Sequence, residues 1–220
     1  MKRYLITCAL LSLSVSSCSS YRQDNPTTVY EDGRGKPHLT LIDIADRSQH
    51  LLPWDLSAEL TPALAKNIRS LGAIYLEPHD ALPMEIDETR MTTQLMRNHQ
   101  IPLEWHGTTE FVALVEIIDH YLSPQIEKTS LMRQSSRSQH LSIKARLKIF
   151  DLRKTDAKLV LSEIVTHEAI IPSSHQLANY TKNHYTQKNY TSTPIGTAHK
   201  NFVAKIGGRI HDYVLLAKSH

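Results

Sequence analysis

Thirteen histidines run through this chain, and imidazole is the side chain best suited to bind a metal or move a proton near neutral pH. The most suggestive run is "HEAII" at residues 167–171. A metalloprotease-type zinc helix needs a second histidine four positions after the first, so that both rings share one face. Position 171 is Ile171 and the stretch reads as a strand, so no metal site is expected. No G-x-S-x-G elbow presents a hydrolytic serine. No glycine-rich phosphate loop exists, and seven glycines in all make a phosphate cradle an unpromising reading. Asp43 and Asp46 could form a carboxylate pair, but an Asp at a strand end ordinarily caps the following loop. The expectation is a protein without catalytic residues, metal or cofactor, and not an enzyme.

One segment repeats. In "NYTKNHYTQKNYTSTP" a Tyr-Thr pair recurs at Tyr180, Tyr185 and Tyr190. A period of five fits neither helix nor strand, so no regular element is expected. Tyrosine is apolar with a polar tip and is enriched at interfaces. These three are therefore the candidate partner-binding residues. The alternative is a loop whose rings lie down on the fold.

The chain has two cysteines, Cys8 and Cys18. Lys2 and Arg3 precede a short, mostly apolar run from Leu5 to Val15, and small residues follow at Ser16 and Ser17. That is the layout of a secretory signal, and the run is too short to span a bilayer. Val15-Ser16-Ser17-Cys18 resembles the bacterial lipobox, the motif read by lipoprotein signal peptidase. The resemblance implies a signal peptide at 1–17 and an N-terminal Cys18 carrying fatty acyl chains such as palmitate. Two or more acyl chains anchor stably where one does not. It also implies sorting to the outer membrane, facing the periplasm, because Ser19 rather than Asp follows the cysteine. Cys8 leaves with the signal, so no internal disulfide and no thiolate metal site are expected.

Charge excludes a second class. The chain holds 25 Lys+Arg against 22 Asp+Glu. Lys2 and Arg3 would leave with the signal, and the remaining balance of +1 does not point to nucleic acid.

The elements that must position these residues follow from periodicity. Residues 18–37 are polar, with Pro26, Gly33, Gly35 and Pro37, and read as a lipidated N-terminus and flexible tether. The rest, 38–220, reads as a single periplasmic α/β domain. "HLTLIDIA" at 38–45 is a buried strand. Leu56, Leu60, Leu64, Ile68 and Leu71 mark a helix over 54–71, started early by Asp55 or Ser57, distorted at Pro62 and stopped at Gly72. "AIYLE" at 73–77 is a second strand, 84–99 a weaker helix, and 109–121 a third strand, apolar on both faces. "HLSIKARLKIF" alternates strictly and predicts an antiparallel strand with one wet face. "LVLSEIVTHEAII" is its partner. A last helix spans 197–217, with Gly207 and Gly208 inside it, offset by close packing against the sheet. The order is β-α-β-α-β-β-β-α: an α/β fold with a mixed sheet and helices mainly on one face.

This order resembles a domain of several envelope proteins: the TolB N-terminal domain, the curli-secretion lipoprotein, and the lipoprotein activators of penicillin-binding proteins. The residues that carry the resemblance are "LTLIDIADRS", "LSAELTPALAKNIRSLGAIYL", "FVALVEI" and "LKIFDLRKTDAKLVLSE". It implies a domain with no shared active site that docks on other envelope proteins or assembles into rings. The leading expectation is a lipid-anchored adaptor that docks on an envelope partner protein. The alternative is a self-associating, homo-oligomeric subunit of a secretion or export assembly. A pore is not expected, since residues 122–140 do not supply two spanning runs of about 9–11 alternating residues.

Overall fold

The computed structural model describes residues 27–50, 52–78, 109–124, 138–154, 157–172 and 184–220. The helix expected at 84–99 lies outside them, as do Cys18 and Tyr180. The described elements are β1 (His38–Leu41), β2 (Ala45–Asp46), α1 (Leu56–Leu71), β3 (Tyr75–Leu76), β4 (Phe111–Pro124), β5 (Gln139–Asp151), β6 (Lys158–Ile171), a 3-10 turn (Tyr190–Ser192) and α2 (Pro194–Lys218). They form a mixed sheet in the order β3-β1-β4-β5-β6, with β2 also on β4. β1 is parallel to β3 and β4, and β4, β5 and β6 form an antiparallel meander.

The expected first strand is real but interrupted. Leu41 faces Ala113 and Ala45 faces Glu116, so four steps on one strand oppose three on the other. The extra residue is a bulge. Ile42 and Ile44, two apart, consequently join different apolar clusters.

α1 starts early, as its stripe demands. Asp55 caps it by accepting from the Ser57 N–H at 2.8 Å. Pro62 sits inside the helix on an exposed face. Gly72 ends it at φ +74°, a conformation only glycine adopts cheaply. Leu56, Leu60, Leu64 and Ile68 are buried, and so is one acid, Glu59.

β4 is central, with Phe111 to Val115 buried on both faces. β5 sends Leu141, Ile143, Ala145, Leu147 and Ile149 into the main core under the helices. Its other face is drier than alternation suggests. Lys144 is exposed, but Lys148 is buried, and Phe150 joins Ile42, Val112, Leu114 and Leu152 in a second apolar cluster. The cause is that β4 is apolar on both faces beside this end of β5.

α2 begins three residues before its expected start. Pro194 occupies the first turn and Thr193 accepts from the Gly196 N–H. Gly207 allows a close approach, but to α1 rather than to the sheet: a Cβ there would collide with Asn67 Oδ1. At the far end, Arg153 donates to the Ala217 carbonyl at 2.6 Å while paired to Asp151 at 2.7 Å. The polar turn after β5 thus holds the last turn of α2.

Residues 27–37, read as tether, fold back onto the domain. Val29 bridges Gly35, and the Tyr30 hydroxyl donates to the Ala73 carbonyl at 2.7 Å. No helix among the described residues is long and apolar enough to cross a membrane.

Candidate functional site

β1 leads through α1 to β3 on one side, while β4 lies on its other side. The strand order therefore reverses between β1 and β4. In α/β sheets, polar side chains that matter collect beyond the carboxyl ends of strands at such a reversal. Here the segment after β1 brings Asp46, His50 and Trp54 to the place where β4 brings His120. The heads of α1 and α2 add Glu59 and His199, and the 3-10 turn adds Tyr190.

Glu59 is the hub. Its Oε1 accepts from Tyr190 OH at 2.7 Å and from His199 Nδ1 at 2.6 Å, and its Oε2 accepts from Trp54 Nε1 at 2.7 Å. Glu59, His199, Tyr190 and Trp54 are all buried. Burial pushes the Glu59 carboxyl up, but the hydrogen bond and charge of His199, with the Tyr190 and Trp54 donors, outweigh it and hold it below its usual range.

From His199 the chain continues across the sheet. His199 Nε2 faces His120 Nε2 at 2.9 Å. His120 is 4 % exposed. Burial, then the neighbouring His199 and His50, push its ring down to about 3, so it is neutral at ordinary pH. His50 packs edge-on to His120 with ring centroids 5.9 Å apart. Its Nε2 meets Asp46 at 2.9 Å and its Nδ1 accepts from the Leu52 N–H at 3.1 Å. Both ring nitrogens of His50 are thereby occupied.

This arrangement can hold a carboxylate inside the core and keep a proton between two rings. It presents no activated nucleophile, because the reactive atoms bond to one another within the core. Among the described residues no group of three or more His, Cys, Asp or Glu side chains is placed to hold a metal ion.

The sequence-predicted residues fare differently. Tyr190 is 4 % exposed and belongs to the network, so it is no partner-binding surface; its hydroxyl finds a carboxylate that only the folded chain supplies. Tyr185 is half-buried and its ring lies 6.0 Å from Trp54. In the "HEAII" stretch, His167 lies on β6 paired with Ile143, and Ile171 is buried. Asp46 caps the next residues as expected, accepting from the Ser48 N–H and hydroxyl.

Sequence reading missed Glu59, His120 and His199. The signal was present: each is a polar residue at a core position of an apolar pattern. Glu59 sits between Leu56 and Leu60 on the stripe of α1, and His199 shares a face with Phe202, Val203 and Ile206 of α2.

A model for a family of unknown function (DUF7499) matches residues 25–218. No curated protein matches the sequence. Among solved structures, the hypothetical protein CT253 from Chlamydia trachomatis is similar with a TM-score of 0.65 at 21% identity, covering 82% of this chain and 98% of that one. That likeness establishes a shared fold. Other neighbours include bacterial lipoproteins. Lipoprotein GNA1162 from Neisseria meningitidis has a TM-score of 0.42 at 13% identity, covering 66% of this chain and 93% of that one. A minor lipoprotein from Acinetobacter baumannii has a TM-score of 0.36 at 9% identity, with 82% and 94% covered.

Proposed function

The chain belongs to this family of unknown function (DUF7499), and for it we propose a lipid-anchored binding module of the bacterial outer membrane, acting as an adaptor rather than an enzyme. The observation that carries the anchor is Val15-Ser16-Ser17-Cys18 after a short apolar run with a basic start. Acyl chains on Cys18 would hold the domain on the periplasmic side, within reach of another envelope protein. The domain's own chemistry agrees with a binding role. Among the described residues, the polar constellation of Glu59, His199 and His120 is buried in the core as a brace across α1, α2 and β4. The resemblance to the TolB, curli-secretion and penicillin-binding-protein-activator domains supports docking on a protein partner. The runner-up is a self-associating subunit of an export assembly, and β6 favours it: this 14-residue strand ends the sheet among the described residues.

The test is Cys18→Ala in cells grown with a labelled fatty acid. The expected result is an unprocessed precursor without label. Label that survives the substitution contradicts the anchor. Sizing of the domain from residue 38 separates the two readings, since a monomer fits the adaptor and a closed ring fits the assembly subunit.

A further inference from the structure

The facing nitrogens of His120 and His199 have a consequence for acid. They lie 2.9 Å apart, Nε2 to Nε2, so a single proton fits between them. Either His120 donates to a neutral His199, or a protonated His199 donates to a neutral His120. In both cases His199 Nδ1–H stays on Glu59. In the second state, where His199 is already an imidazolium on the Glu59 carboxylate, a further proton has no acceptor between the rings and sets two cations against each other in the core.

We propose that this pair is an acid-released latch: one shared proton holds the Tyr190–Gly196 corner and the head of α2 on β4, and a second proton frees them.

The surroundings give the second proton no counter-charge. From the segment after β1, His50 faces His120, with Nε2 committed to Asp46 and Nδ1 to Leu52. From α1, Glu59 faces His199 and also carries Tyr190 and Trp54. From β6 comes His167, whose buried Nε2 has no hydrogen-bond partner; burial, Lys205 and His199 push that ring down as well. Lys205 of α2 binds the Thr166 carbonyl at 2.7 Å. On β4 itself, Asp119 pairs with Lys144 on the other face of the sheet. The nearby acids are thus already used by the first proton or by His50.

What the latch holds is small and defined. Thr193 N–H donates to the Tyr190 carbonyl, Thr193 Oγ1 accepts from Gly196 N–H, and the Thr197 N–H donates to the Thr193 carbonyl. Gly196 packs on the Tyr190 carbonyl so closely that no Cβ fits. Release of this corner uncovers Tyr190 and Trp54, whose rings meet edge to face at 5.8 Å.

The experiment is hydrogen exchange of the Thr193, Gly196 and Thr197 amides in the full chain, corrected for the chemical exchange rate. Between pH 6.5 and pH 5 the opening constant should rise roughly fifteenfold, because the open corner binds a proton that the closed one excludes. Amides of Ile143 and Ala145 in β5 should not follow. In His120→Gln the side-chain amide satisfies His199 in either protonation state, and the rise should shrink below about threefold. A rise that persists in His120→Gln, or a wild-type corner no more acid-sensitive than β5, overturns the latch. If that variant does not fold, histidine nitrogen resonances of the wild type decide. One proton on the facing nitrogens while the corner stays protected is expected. Two imidazolium rings with protection intact would overturn it.

Discussion

α2 is fastened at both ends, by opposite kinds of electrostatics. At its head, His199 joins a carboxylate and a second imidazole inside the core. At its tail, Arg153 donates to the last carbonyls while paired with the buried Asp151, and Lys218 pairs with Glu110 at the rim. The tail is an ordinary partly exposed ion pair, screened by water and salt. The head is costly to break, because removing one partner strands another charge in a dry place. The contrast teaches where specificity resides: the head fixes which turn of α2 meets which residue of β4, while the tail only stops fraying.

The sharpest way to break the comparison is Glu59→Ala. It strands three donors and leaves a void, so a loss of about 3–5 kcal/mol is expected. At about 2–4 °C per kcal/mol for a chain of this size, the melting temperature should fall by roughly 10 °C. A fall of under about 2 °C would make the head no different from the tail.

Between the two ends lie adjacent glycines with opposite forecasts. Gly207→Ala forces a Cβ onto Asn67 and should destabilise by about 1–3 kcal/mol. Gly208→Ala meets open space inside a helix and should stabilise by up to about 1 kcal/mol. Denaturant melts of the two variants should shift in opposite directions.

Acid sharpens the contrast. The folded ring of His120 is held near 3, while the unfolded ring titrates at 6.5. Below pH 6.5 the unfolded chain therefore binds a proton that the folded one does not. Stability falls with falling pH, at up to about 1.4 kcal/mol per pH unit for this ring, down to about pH 3. Glu59 adds a further loss once the pH falls through the ordinary carboxylate range, because its folded carboxyl is held low. Asp151 at the tail is also held low, by Arg153 against the effect of burial, and contributes no loss until the pH falls below its usual value of 3.8. The difference between stability curves at pH 7 and pH 5 should be smaller in His120→Gln than in wild type, with the lowered His167 ring supplying part of what remains.

The smallest effect belongs to Arg153→Ala, at under about 1 kcal/mol and shrinking in high salt. Its readout is faster exchange of the last α2 amides with the global melt nearly unchanged.

Legibility follows the range of each interaction. The alternation from Leu141 to Ile149 and the stripe from Leu56 to Ile68 are local patterns, and both elements stand where they were expected. The dry end of the far face was not legible, since Lys148 reads as solvent-facing and is buried only because Leu114 lies opposite it. The head network was the least legible. Apart from the Trp54–Glu59 bond, the bonds that tie its elements together join residues 131, 140 and 79 positions apart, and no window of sequence contains both partners. Tyr190 shows the limit of a local reading: residue type offered either a surface or a ring lying on the fold, and a distant carboxylate made it core.

The most direct test of the account is a double-mutant cycle across Glu59 and His199, using Glu59→Gln, His199→Gln and the pair, at low and high salt. A buried brace predicts a coupling energy of about 2 kcal/mol, within the range for directly bonded neighbours, and unchanged by salt. A coupling under about 0.5 kcal/mol, or one that salt abolishes, would contradict the claim that a buried charge network holds the head of α2 in place.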